Sequence, residues 1–402
     1  MKTSGLDVHK DSVFCAIYDG KNYGEVQTFG TFTDSIKEMC EYLQSVGVKR
    51  VAMESTGIYW IPVWNIMESM GFELILVNPF LIKQMPGRKS DVKDAQWIAK
   101  LLHKDLLRGS YVPDSTIQKL RTYSRRYTKL QQQITRSLIK MDSILVMGGI
   151  RIGGCVSDIG GKSTLNVIEA LIKGVNDPCK LSKLVYGNRE NKKTGKLLKA
   201  LTGNMQEHHR DTLEMEKELY DLLEKQAAIC LDRMDQICKE AFSTEISLLK
   251  TIPGISRINA MVILAETGAD MKSFENSNKI TGWAGVRPRN DESAGKYKST
   301  AITKGNKYLK SALVQTSWAA SRTKESFFME KFNRLAMRKS RKKALIAIAR
   351  KILVIIWHVL HEKNGYNPTL LPIYNPEKLS SKVRYHRKEI ERLERLIPQK
   401  IA

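Results

Sequence analysis

Four acids and one serine stand where chemistry would need them: Asp7, Glu54, Asp91 and Asp94, and far along the chain Ser293. Each acid falls where an expected strand ends or an expected helix begins. Carboxylates gathered at one edge of a sheet repel one another unless a cation lies between them. Phosphodiester chemistry with two metal ions needs such a set to hold the ions a few ångströms apart. Asp91 and Asp94 are spaced i,i+3, and their helical face continues to Ile98 and Leu101. That face must pack on the sheet, so both acids are expected to point inward near the helix start. Taken singly, Asp91 and Asp94 could serve only the helix N-terminus, and Glu54 only as a capping acid. The combination, in this order of elements, is what suggests a divalent-metal site for nucleic-acid phosphates.

Ser293 poses a different problem. A serine hydroxyl is a poor nucleophile at its own pKa and needs a metal or a nearby base. No histidine pairs with it in the local sequence. Arg287, Arg289, Lys296, Lys298, Lys304 and Lys307 surround it and suit phosphate charge. By sequence alone it is also one loop serine among many. Proofreading-type exonucleases use four acids too, but they want Asp-x-Glu in the first strand. Here that third position is His9, which argues against them.

The elements that must carry these residues follow from pattern. Gly5 to His9, Ser12 to Tyr18 and Gly24 to Phe32 read as strands, with Asp19-Gly20 as the turn between the last two. A helix is expected over Ser35 to Val46, a strand over Arg50 to Met53 delivering Glu54, a helix over Ile58 to Met70, a strand over Phe72 to Val77, and a helix from near Ser90. This is a mixed α/β sheet. From Asp114 the period changes. Leu120, Tyr123, Tyr127, Leu130, Ile134, Met141 and Ile144 follow heptad spacing, broken only by Ser137, and Tyr220 to Ile237 repeat the pattern. Two such helices predict an antiparallel coiled-coil arm. A basic stripe of Arg121, Arg125, Lys129, Arg136 and Lys140 runs between the apolar positions, and its exposed face is a candidate nucleic-acid contact.

The segment from Gly148 to Gly203 contains Gly160-Gly161-Lys162-Ser163-Thr164, but the glycine a P-loop needs earlier is Val156, so nucleotide binding is excluded. Further on, Leu249 to Ile255 reads as a helix ending in a tight Pro253-Gly254 turn, with a second helix after it. In a helix-hairpin-helix, the turn at Gly254 offers backbone N–H groups to a DNA phosphate. Short helices are expected over Asn278 to Val286 and Tyr308 to Ser321, with Arg287 to Asn306 a polar loop between them. Ala344 to Leu360, interrupted by Arg350 and Lys351, reads as a buried helix and not a membrane span. The expected domains are 1–113, 114–246, 247–366, and a charged tail, 367–402.

With 66 Lys and Arg against 42 Asp and Glu, the 402-residue chain carries a net charge of +24, and a polyanion is its expected partner. Six scattered cysteines fit neither zinc spacing nor a disulfide scaffold, which points to a reducing cytoplasm. No early apolar run marks a signal peptide.

Several motifs together resemble a known family. Gly5-Leu6-Asp7-Val8-His9-Lys10, Met53-Glu54-Ser55-Thr56-Gly57, Val77-Asn78-Pro79 and Lys89 to Ala95 are similar to the DEDD transposases of IS110-type bacterial insertion sequences. Pilin-gene inverting recombinases share the type. Ile252-Pro253-Gly254-Ile255, Trp283 to Pro288, Ser293-Ala294-Gly295 and Thr303-Lys304-Gly305-Asn306 resemble the second half of those proteins. The family often has glycines directly after the serine, where this chain has Ala294. The resemblance implies an α/β plus α architecture: a RuvC/RNase H-like N-terminal domain, the coiled-coil arm and a mainly helical C-terminal domain. It implies Mg2+ at Asp7, Glu54, Asp91 and Asp94, two ions per site with Mn2+ as a substitute, and Ser293 as the nucleophile forming a phosphoserine link to DNA. It further implies donor and target DNA as substrates and a structured non-coding guide RNA as partner. A homo-oligomer, dimer or tetramer, would build composite active sites, in the bacterial or archaeal cytoplasm at the nucleoid and with no membrane. The alternative is a RuvC-like metal nuclease or junction resolvase that uses the acids alone.

Overall fold

The first strand, β1 (Thr3–Val8), has two unlike faces, and the fold around it follows from the difference. Leu6 and Val8 point to one side, into an apolar cluster with α1 (Thr33–Ser45) and α2 (Trp60–Ser69). Thr3, Gly5 and Asp7 point to the other, because side chains alternate along a strand. There α3 (Asp91–His103) lies almost on the backbone: a Cβ on Gly5 would sit 2.3 Å from the Ala95 carbonyl oxygen and 2.4 Å from the Ala99 nitrogen. Thr3 Oγ1 donates to the Ala99 carbonyl at 3.0 Å along the same line. Glycine at position 5 therefore lets the helix that carries Asp91 and Asp94 descend onto the strand that carries Asp7.

This is a computed structural model, and it describes residues 2–55, 57–79, 90–185, 193–289, 291–293, 295–299, 301–370 and 376–396. The chain divides into two compact units, Met1–Pro113 and Asp114–Ala402. In the first, β2 (Val13–Tyr18), β3 (Gln27–Phe29), β4 (Arg50–Glu54) and β5 (Glu73–Val77) join β1 in a five-stranded mixed sheet of order β3-β2-β1-β4-β5. β1, β4 and β5 run parallel, and β2 and β3 are antiparallel additions. The expected third strand, Gly24 to Phe32, shrinks to three residues at the sheet edge. Helices cover both faces, as parallel strands require.

Gly5→Ala forces a methyl group against backbone that cannot swing aside. It is expected to destabilise the first unit by about 3 kcal/mol, the upper range for overpacking. Urea unfolding followed by fluorescence of Trp60 and Trp64 checks this.

The second unit is helical. α4 (Ser115–Met147) and α8 (Glu207–Ala241) lie side by side and antiparallel: Arg126 meets Gln226 at 2.8 Å, and Ser137 Oγ donates to the Glu216 carbonyl at 3.2 Å. Ser137, the one polar residue in the heptad stripe, is thus satisfied by the partner helix. The segment between them forms α5 (Lys162–Ile172), α6 (Pro178–Lys183) and α7 (Lys193–Leu201). Val167, Ile168, Leu171, Leu181, Leu197 and Leu201 join Leu130, Ile134 and Met141 in one core, so the two long helices are covered by the intervening segment over part of their length.

Beyond them come α9 (Ser243–Lys250), α10 (Arg257–Thr267), α11 (Ser277–Trp283), a short hairpin of β6 (Asp291–Ser293) and β7 (Lys296–Ser299), and α12 (Lys307–Ala320), α13 (Phe327–Ala336) and α14 (Arg341–Glu362). The hairpin corrects the expectation of an irregular loop over Arg287 to Asn306. α14 is long and apolar enough to cross a membrane by length and composition, yet Ala344, Ile348, Ile352 and Ile356 are buried inside the unit. α15 (Pro376–Leu396) occupies the charged tail.

Candidate metal centre and serine hairpin

Parallel pairing sets Gly5 beside Ala52 and Leu6 beside Met53, so the next position in the same register would bring Asp7 towards Glu54. Both acids stand at the carboxyl ends of their strands, the edge where ligands bind in open α/β sheets. Ser90 caps α3 by accepting from the Lys93 amide at 3.4 Å, which puts Asp91 and Asp94 in the first helical turn above that edge. Asp7 is buried, Glu54 and Asp94 are half-buried, and Asp91 is exposed. Of the two helix acids, Asp94 is the more buried.

The tightest group differs from the four acids. Ligand atoms of Asp7, His9 and Asp91 lie within 4.8 Å of one another among the described residues, and Glu54 and Asp94 are not within that group. His9 Nε2 is 3.1 Å from Asp7 Oδ2 and 3.7 Å from Asp91 Oδ1. Burial pushes the Asp7 pKa up, His9 pulls it back, and the nearby charges of Glu54 and Asp91 raise it again, leaving it above the ordinary aspartate value. Glu54 is thus close enough to be felt. In the sequence His9 counts against exonucleases and belongs to the family motif, but nothing there assigns it to the acid cluster. The signal that places it was present: position 9 shares the face of Asp7 by strand alternation.

In the second unit, Ser293 ends β6 and pairs with Lys296 of β7. Gly295 adopts φ +74°, which glycine accepts freely. The hairpin continues downward through a Pro288–Ile302 bridge and an Arg289 N–H to Ala301 carbonyl bond of 3.1 Å. At its base Gly285 and Gly305 meet backbone to backbone: a Cβ on Gly305 would lie 2.4 Å from the Gly285 nitrogen. The backbone places Lys296 and Lys298 on β7, while Arg287, Arg289, Lys304 and Lys307 are exposed near the base.

The basic stripe on α4 is divided. Lys129 and Arg136 are exposed, but Arg121 and Arg125 turn to an internal anion that sequence reasoning missed, Glu266. This corrects their assignment to a free nucleic-acid face: α4 has α10 as a further neighbour, so these heptad-flanking positions face protein. Glu266 is fully buried at the end of α10. Arg125 grips its two oxygens at 2.8 Å each, Arg121 donates to the Ala265 and Glu266 carbonyls at 2.9 Å, and Asn306 Nδ2 donates to Glu266 Oε2 at 2.7 Å. A lone glutamate in Ala-Met-Val-Ile-Leu-Ala-Glu-Thr carried no signal beyond its apolar company. Gly254, φ +86°, also faces inward: a Cβ there would lie 2.6 Å from the Thr316 oxygen and the Ala320 nitrogen of α12. Its glycine is required by that helix approach whatever the turn binds.

Burial is the largest influence on Glu266 and raises its pKa, but the Arg125 fork, the Arg121 charge and the Asn306 amide outweigh it. The carboxyl ends below its ordinary 4.5. A depressed carboxylate contributes stability above its unfolded pKa and loses it as pH falls through the folded one. Glu266→Gln is expected to cost about 2 kcal/mol at pH 7, because it leaves the partly buried Arg121 and Arg125 charges without their counter-ion, a loss that solvent at Arg125 softens. The gap between the two proteins should close as the pH falls below that ordinary carboxylate value. Guanidinium chloride titrations at stepped pH check both parts.

Comparison with known proteins gives the family. A DEDD-type IS110 transposase model matches residues 4–147, and a transposase model of the IS116/IS110/IS902 family matches residues 246–332. A protein of Sinorhizobium fredii (strain NBRC 101917 / NGR234) named as a transposase is 24% identical over 344 residues, 83% of this chain and 78% of that protein. The pilin gene-inverting protein of Moraxella bovis is 30% identical over 133 residues, 32% of this chain and 41% of that protein, so the match spans less than half of its length. Among solved structures, T. thermophilus RuvC in complex with a Holliday junction substrate aligns at 11% identity and TM-score 0.23, over 27% of this chain and all of that one. The two transposase matches fall in family order, one carrying the acids and the other the serine hairpin, and the chain belongs to the IS110 family of transposases.

Proposed function

We propose that this transposase cuts and rejoins DNA through a serine–DNA link, assisted by a divalent-metal site at the edge of the first sheet. The observation that carries the reading is the crowding at Asp7: a buried carboxylate held beside Glu54, Asp91 and His9, with its proton affinity raised by burial and by those acids. Such a group is costly to ionise alone and is relieved by a cation. Asp7, Glu54, Asp91 and Asp94 would hold the ion, and His9 would orient Asp7 or join the ligands. We assign Mg2+ on its preference for carboxylate oxygen, with Mn2+ more tolerant of the histidine. When bound, the ions stabilise charge on the attacked phosphate and make a nearby hydroxyl more acidic. The sheet order and the acids at its carboxyl edge support a RuvC/RNase H-like first domain.

The serine step balances without a cofactor. Ser293 Oγ bonds to phosphorus, one DNA oxygen leaves as a hydroxyl and takes up the serine proton, and the phosphoester count is unchanged. A DNA hydroxyl attacking the phosphoserine reverses the step and rejoins strands. The exposed Arg287, Arg289, Lys304 and Lys307, with Lys296 and Lys298 on the hairpin, suit the phosphate charge. Lys129 and Arg136 on α4 and the backbone at Gly254 are proposed contacts further along the nucleic acid. The acids and the serine belong to different units, and composite sites between protomers of a dimer or tetramer would unite them. Donor and target DNA and an element-encoded guide RNA in the bacterial cytoplasm complete the proposal.

A strand-exchange assay tests it, using duplexes that carry the ends of the element together with a transcript of the flanking non-coding segment. Asp7→Asn and Ser293→Ala proteins are expected to bind DNA and not to recombine it, and omitting the transcript is expected to stop exchange. Exchange that is indifferent to both substitutions would sink the proposal.

A further inference from the structure

Glu266 is the least expected residue in the second unit: a fully buried acid with no place in the serine chemistry, yet tying its own helix to two other elements. Through Arg125 and Arg121 it holds α4, its own chain belongs to α10, and through Asn306 it reaches the start of α12. Asn306 works in two directions. Its Oδ1 accepts from the Tyr308 and Leu309 amides at 3.0 and 3.1 Å and so caps α12, while its Nδ2 donates to Glu266. Arg125 also lies over the Tyr308 ring, 4.9 Å from its centre, which closes the group around the same helix start.

Asn306 lies beyond the returning strand of the serine hairpin, after the Pro288–Ile302 bridge and just before α12. The joint is stiff on both sides. Gly285 and Gly305 pack backbone on backbone. Lys310 Nζ donates to the Thr303 carbonyl at 3.0 Å and the Lys304 carbonyl at 2.7 Å. From there the Pro288–Ile302 bridge and the β6–β7 ladder, with a register shift between Asp291 and Glu292, keep antiparallel pairing towards Ser293 among the described residues. A hairpin is a lever, and its tip goes where its base is fixed.

We propose that the Glu266–Asn306 bond is a positioning contact for the serine hairpin, aligning Ser293 from the buried Glu266 that Arg125 grips. The proposal rests on Ser293 being the nucleophile. Neither Glu266 nor Asn306 touches the DNA in this account; both act through the backbone at 303–306. A merely structural role would show only as lost stability, and one substitution separates the two. Asn306→Ser keeps a helix cap, because serine caps about as well as asparagine, but its shorter side chain carries no amide to reach Glu266.

The test compares wild type, Asn306→Ser and Ser293→Ala as full-length proteins, with radiolabelled duplexes carrying the element ends and the flanking transcript. Melting temperature and covalent adduct yield are read together. The expected result is Asn306→Ser melting within a few degrees of wild type while adduct forms 10- to 100-fold more slowly, with DNA affinity unchanged. That range is typical when a supporting contact loosens a site without removing it. Adduct formation at the wild-type rate in Asn306→Ser, with Ser293→Ala inactive, would overturn the positioning role alone. DNA cleavage by wild type without any adduct would end the serine reading and the positioning role with it.

Discussion

Asparagine in place of Asp7 is expected to lower strand exchange by on the order of 10³-fold or more while leaving DNA binding within about twofold. A ligand carboxylate supplies several kcal/mol of charge stabilisation through its ion, and about 4 kcal/mol corresponds to a thousandfold in rate. The same substitution should act oppositely on the metal-free fold. Burial, with the charges of Glu54 and Asp91 added, outweighs His9 and raises the Asp7 pKa. A carboxyl raised in the folded state binds its proton more tightly there than in the unfolded chain. Its stability contribution is fully present below the unfolded pKa and is lost as pH rises through the folded one. At pH 7 in EDTA, Asp7→Asn should therefore melt higher than wild type, and the difference should vanish in acid. Adding Mg2+ or Mn2+ should raise the wild-type melting temperature and leave the variant unmoved. Calorimetry with and without metal reads all three effects. A variant that melts lower in EDTA and still responds to metal would place the ion elsewhere.

How much of this could be read from the sequence depended on whether each residue's neighbours were local. Asp7 and Glu54 were legible because strand alternation and apolar runs fix where a strand ends. Asp91 was legible because Ser90 marks a helix start and caps it in the structure. Gly5 was quoted as part of a motif, but its reason, the close approach of α3, belongs to an element ninety residues away. His9 shares the Asp7 face by simple alternation, but a lone histidine after a strand is common and does not by itself mark a ligand. Glu266 was beyond reach, since its partners Arg121, Arg125 and Asn306 come from distant elements. The error over Arg121 and Arg125 has the same root. Heptad spacing describes a helix with one partner, and α4 has a further one in α10. The β6–β7 hairpin went unread because Asp291 to Ser299 is polar and lacks the apolar alternation that signals a strand.

Alanine at Ser293 carries the other large effect. Removing the attacking oxygen is expected to abolish the covalent intermediate and with it all rejoining, below one part in 10³ of wild type, because no second hydroxyl stands in for a lost nucleophile. The backbone of β6 tolerates alanine, so the fold, the melting temperature and DNA affinity should stay near wild type. The variant separates a serine recombinase from a metal nuclease: if water were the nucleophile, Ser293→Ala would still cut.

The proposed reaction needs two half-sites, the carboxylates at the edge of the first sheet and the serine at the tip of the hairpin. Its most direct test is peptide mass spectrometry of the protein after reaction with duplex DNA carrying the element ends, flanking transcript and Mg2+, followed by nuclease digestion. A nucleotide is expected on the peptide containing Ser293, present in wild type and absent from both Ser293→Ala and Asp7→Asn. Cleaved DNA with no modified peptide, or an adduct on any other residue, would contradict it.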